Sequence, residues 1–132
     1  MNLTPLEEAA WVYAHQSDYD RQQRFDAAAS LSQWGLFSLR QVGAIAGVSH
    51  STVRKLAKPK SDRTGGKFDP ECLELLLDIR RRYARGEDVE PEAVAQLADA
   101  GTSLGFAARL AGIPESWLRR RYTKAKKGVH DD

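Results

Sequence analysis

Between Ser49 and Arg63 the chain gathers side chains suited to a polyanion. They are the hydroxyls and imidazole of Ser49, His50, Ser51 and Thr52, the cations Arg54 and Lys55, and then Lys58, Lys60 and Arg63. On a helix capped by Ser49, the first of these fall in the opening turn, where backbone N–H groups lack intrahelical partners and attract phosphate. Arg54 and Lys55 follow one turn later. Arginine can bond a guanine edge with two N–H groups at once, whereas lysine and hydroxyls more often meet phosphate. Val53 and Leu56, the apolar residues of the same stretch, turn inward.

Side chains used this way need a rigid mount, and the preceding residues supply one. "LRQVGAIAGVSHSTVRKLAK" runs from Leu39 to Lys58 with helical apolar spacing on both sides of Gly47. Glycine there lets one helix stop in a positive-φ turn. Gly43 and Ala46 are small enough for a second helix to cross closely, Val42, Val48, Val53 and Leu56 can fill the angle, and Ser38 and Ser49 are suitable caps. This is the pattern of a helix-turn-helix over about 38–58. It resembles the DNA-reading unit of bacterial and phage repressors, with "GVSHSTVRKL" similar to their turn and recognition helix. The resemblance covers about 20 residues. It implies a recognition helix, 49–58, that enters the major groove with its N-terminal residues toward the bases. An αα-corner without ligand shares the glycine and the small residues, but does not account for the bases that follow.

Near the C-terminus the pattern returns. Shifted by 65 residues, Leu39 falls on Leu104, Gly43 on Ala108, Ala46-Gly47-Val48 on Ala111-Gly112-Ile113, Ser51 on Ser116, Val53 on Leu118 and Arg54-Lys55 on Arg119-Arg120. A second helix-turn-helix is therefore expected over about 103–124, with recognition helix 114–124 and Ser116, Arg119, Arg120 and Lys124 as its candidate contacts. It departs from the first in two places: Arg121 stands where Leu56 packs, with Tyr122 available to compensate, and Trp117 replaces Thr52. Trp117 can pack as core or lie against a sugar-phosphate edge. Glu115 repels phosphate but can accept from a cytosine amino group. This half can alternatively repeat the architecture only, as a packing or dimer surface.

Charge follows the same division. The 132 residues carry a net +2, yet residues 38–67 hold seven bases against one acid and 102–132 seven against three, while 1–37 hold two against five and 68–101 four against nine. Segregation of this kind suits a polyanionic partner met at two places. The basic loop 58–67, "KPKSDRTGGK", reads either as an arm lying along phosphates or in the minor groove, or as a solvated linker.

The remaining residues predict an all-α protein, two helix-turn-helix units joined by a central helix, with no alternation long enough for a strand. Helices are expected from Pro5, from Ser17 or Asp18 to Trp34, from Asp69-Pro70-Glu71 to Gly86, and from Pro91 to Ala100, with a frayed tail after Lys124. The organisation is residues 1–67, holding the first corner and the basic loop, and 68–132, holding the linking helix and the second corner. The acidic linking helix is read as a spacer packed between the two corners.

Catalysis has little support. His15, His50 and His130 are scattered, one cysteine cannot build a zinc site, and "RTGGK" lacks phosphate-loop spacing. No catalytic residue, metal or cofactor is assigned, and the chain is not read as an enzyme. Cys72 suits a buried thiol in a reducing cytosol. The acidic N-terminus does not read as a signal peptide, and no apolar run approaches the roughly 20 residues that cross a bilayer. The expected protein is thus a cytoplasmic, sequence-specific double-stranded DNA-binding repressor, most similar to the immunity repressors of temperate phages. Two unlike heads favour a monomer on an asymmetric site over a homodimer on a palindrome. The alternatives are an excisionase-like or architectural DNA-binding factor, and a helical anti-repressor module that binds a protein.

Overall fold

The computed structural model describes residues 3–56 and 68–130. The stretch 57–67, with Lys58, Lys60 and Arg63, lies outside the described residues. All regular structure among those described is helical: α1 (Pro5–His15), α2 (Arg21–Gln33), α3 (Leu39–Ala46), α4 (His50–Leu56), α5 (Leu73–Ala84), α6 (Pro91–Asp99), α7 (Leu104–Ala111) and α8 (Glu115–His130), with short 3-10 turns at Gln16–Asp18 and Pro70–Cys72. The chain divides into two units, Met1–Gly65 and Gly66–Asp132.

In the first unit each of the first three helices starts at a reciprocal cap. Thr4 with Glu7, Asp20 with Gln23 and Ser38 with Gln41 each exchange side chain and backbone hydrogen bonds, satisfying two otherwise unpaired N–H groups. The Asp20 cap explains why α2 begins at Arg21 and not at Ser17 or Asp18. Those residues form the 3-10 turn, and Tyr19 runs extended into the cap. α1 packs on α2, with Leu6, Ala9, Ala10 and Val12 of the first and Ala28 and Leu31 of the second buried, and Ser30 Oγ donates to Glu8 across the pair at 2.9 Å. Phe37, Val42, Ile45 and Val53 complete the core. Ser38→Ala should cost about 1 kcal/mol, which lowers the melting temperature by about 4–8 °C for a domain of this size. Scanning calorimetry reads it directly.

The second unit is built from α5 to α8. Asp69 N–H donates to buried Thr102 Oγ1 at 3.2 Å, tying the unit's first residues to the α6–α7 connection. Leu73, Leu76, Leu77 and Ile79 of α5, Val94 and Leu97 of α6, Phe106 and Leu110 of α7 and Leu118 of α8 are buried together. Ser103 caps α7, its hydroxyl accepting from Phe106 N–H at 3.3 Å. The linking helix lies between the two corners in sequence and packs on α6 and α7 within the second unit. The tail also departs from expectation. α8 continues to His130 instead of fraying after Lys124, because it packs along α6, where Lys126 Nζ reaches Asp99 at 3.2 Å.

Candidate nucleic-acid interface

The first corner is set by three glycine-dependent features. α3 ends at Gly47 with φ 78°, and the N–H groups of Gly47 and Val48 both donate to the Gly43 carbonyl, at 2.8 and 3.0 Å. A Cβ on Gly43 would run into the Val48 carbonyl oxygen and stand 3.5 Å from His50 N, so the chain doubles back against bare backbone. A Cβ on Gly47 would in turn strike Gln16 Oε1. Gln16 is there because its Nε2 donates to the α3 carbonyls of Ala44 and Ile45 at 3.3 and 3.2 Å, while Arg24 Nε holds the Gln16 carbonyl at 3.0 Å. This brace joins residues 28 and 29 positions apart.

On that mount α4 buries Val53 and exposes Ser49, His50, Ser51, Arg54 and Lys55, with Thr52 half-buried. The Ser49 hydroxyl is already engaged. It accepts from Thr52 N–H at 3.2 Å and lies 2.8 Å from the Thr52 hydroxyl and 3.2 Å from that of Ser51. Ser49 therefore caps the helix and orients its neighbours. Arg54 and Lys55 make no ion pair among the described residues. The fold adds two cations that the sequence pattern did not assign. Arg21 and Arg24 of α2 border a hollow of about 360 Å³ with Tyr19, Gly47, Ser49 and Thr52, at the leading end of α4. Arg24 is fixed by its bond to Gln16, and Arg21 stands 5.2 Å over the Phe25 ring.

The second corner repeats this geometry at the same offset of 65. Like α3, α7 has eight residues, is capped by a serine, and ends at a left-handed glycine, Gly112, with φ 67°. Gly112 N–H and Ile113 N–H both donate to the Ala108 carbonyl. Leu118 is fully buried at the place of Val53. Nothing lies within 4 Å of a Cβ on Gly112, and Ala108 already carries the Cβ that Gly43 cannot. The second turn is therefore the looser of the two.

The side chains it presents differ. Ser116, Arg119, Arg120 and Lys124 are all exposed, but Arg119 is paired with Glu115 one turn before it. Trp117 is half-buried, its ring edge-on to Tyr83 at 5.1 Å. Arg121 fills its own departure from the pattern. Its guanidinium stacks 3.6 Å over Trp117, so the position that Leu56 suggested for an apolar residue is occupied by a cation on an aromatic face, and Tyr122 is not needed there.

Among the described residues no group of His, Cys, Asp and Glu could hold a metal ion, Cys72 is a buried free thiol, and no helix is long and apolar enough to cross a membrane. No family model matches the chain, and neither a curated protein nor a solved structure matches it significantly.

Proposed function

We propose that the chain is a sequence-specific double-stranded DNA-binding repressor of the kind found as immunity repressors in temperate phages. It would act by occupying a promoter or operator and excluding polymerase. The observation that carries this reading is the recurrence, 65 residues apart, of one helical corner whose second helix is fixed by a buried Val53 or Leu118 and turns a hydroxylic and basic face outward. A helix so mounted suits the major groove. An αα-corner serving only as packing has no use for exposed Arg54, Lys55, Arg120 and Lys124.

The two presented faces share a serine (Ser51, Ser116) and a basic pair (Arg54-Lys55, Arg119-Arg120), but Ser49, His50 and Thr52 are replaced by Pro114, Glu115 and Trp117. Each chain thus has two unlike heads, and the fitting target is an asymmetric or direct-repeat site bound by one chain. A dimer of single-headed readers would instead need half-sites about 34–36 Å apart related by a two-fold axis. Selection of duplexes from a random pool, with stoichiometry measured on the winner, tests this. The expected result is an asymmetric consensus and one chain per duplex. A palindrome bound by two chains would contradict binding by one chain and favour a homodimer. Strong bending with weak discrimination would favour an architectural role, and enrichment of no duplex would leave a protein-binding module.

A further inference from the structure

The leading ends of the two second helices are not alike in charge. In α4 the exposed first-turn residues are uncharged or basic. In α8 the first residue is Glu115, whose carboxylate holds Arg119, so the end that would face the bases carries a closed ion pair. Other cations lie further along and to one side, of which Arg120 and Lys124 make no ion pair among the described residues. Arg120 and Lys124 are exposed, and Arg121 lies flat on Trp117 beside them. Together with Val89 and Pro91, these four residues line a hollow of about 330 Å³ between α8 and the segment leading into α6.

The hollow is organised before any ligand arrives. Tyr83 props the Trp117 ring edge-on, and Trp117 fixes the plane of the Arg121 guanidinium. Arg121 Nη1 reaches the Trp117 carbonyl at 3.4 Å, and its Nε is buried with no hydrogen-bond partner. Among the described residues the carboxylate that lines the hollow is Asp88, 3.9 Å from Arg121 Nη2 and 95% exposed. An ion pair so long and so solvated contributes little, so Asp88 can swing into water at small cost. Three cations around one concavity, with a single loosely held counter-charge, match a phosphodiester better than a base edge, which offers neutral donors and acceptors.

We infer that this hollow grips the sugar-phosphate backbone of the duplex. The second unit then supplies affinity and register, while base identity is read by α4. The inference rests on the DNA-binding reading and specifies which part of DNA the second unit meets.

The test uses the full chain with Arg120→Ala/Lys124→Ala together and with Asp88→Asn, titrated against a selected duplex and a scrambled one between 50 and 200 mM salt. Each phosphate contact contributes about 0.9 to the slope of log affinity against log salt. The double variant should therefore lose about 1.8 from the slope on both duplexes. Its affinity should fall about twelve-fold less than the wild type's across that salt range, with the ratio between duplexes unchanged. Asp88→Asn should tighten both duplexes alike. All three side chains are exposed, so thermal melts should match the wild type. An unchanged slope in the double variant overturns the inference even where the wild type binds DNA well, and so does a loss confined to the selected duplex. A wild type that binds neither duplex removes the underlying reading along with it.

Discussion

Arg54→Ala should weaken binding to the selected duplex by about 1–3 kcal/mol and flatten preference at one base-pair position, leaving the melting temperature unchanged. The size of the effect follows from what the guanidinium lacks. Arg54 is exposed one turn into α4 and makes no ion pair among the described residues, so its fork is available to a guanine edge without first being released from a carboxylate. Its counterpart Arg119 is held by Glu115, and Arg119→Ala should cost less. Dissociation constants on the selected duplex and its single-pair variants check both. A loss for Arg54→Ala that is uniform across sequences would assign the residue to phosphate instead.

Gly43→Ala lowers the stability of the first unit by about 1–3 kcal/mol, and Gly43→Val by at least as much. The obstruction is at Cβ itself, which would run into the Val48 carbonyl oxygen. Backbone on both sides leaves no flexible side chain to move aside, and α4 cannot retreat without uncovering Val53, which is fully buried. Gly112→Ala, at the counterpart of Gly47, is a comparison in which no clash arises. Its added Cβ meets nothing, so only the left-handed backbone is penalised, at about 1–2 kcal/mol. Thermal melts of the two alanine variants decide the matter. Wild-type melting for Gly43→Ala would mean that the helices do not cross so closely.

The corner glycines and helix caps carry their signal locally in the sequence. Gly43, Gly47 and Gly112 announce the corners because a close crossing and a positive-φ turn have few chemical solutions, and Ser38 and Ser49 announce helix starts for the same reason. Such signals are local, so elements and their inward residues were legible. α2 starts later than Ser17 or Asp18, because Ser17, Asp18 and Asp20 are all plausible caps but only Asp20 has its reciprocal partner, Gln23, three residues on. The brace under the turn is not legible in the sequence, since Gln16 donates to carbonyls 28 and 29 positions further on and Arg24, which holds the Gln16 carbonyl, lies on another helix. The stacking of Arg121 on Trp117 sits at helical spacing, but a charged residue at an inward position reads as a defect until the aromatic face is seen. The length of α8 was hidden for a similar reason. A lysine-rich, glycine-containing end looks unsupported until Lys126 is found against Asp99.

The most direct measurement is fluorescence anisotropy of a labelled duplex titrated with the full chain at rising salt. If exposed cations of the two corners meet phosphates, the duplex is bound at low salt. Log affinity then falls linearly with log salt, with a slope of about −0.9 for each phosphate neutralised and several phosphates in total. No change in anisotropy at the lowest salt, on random duplex and on a selected pool alike, would contradict the account.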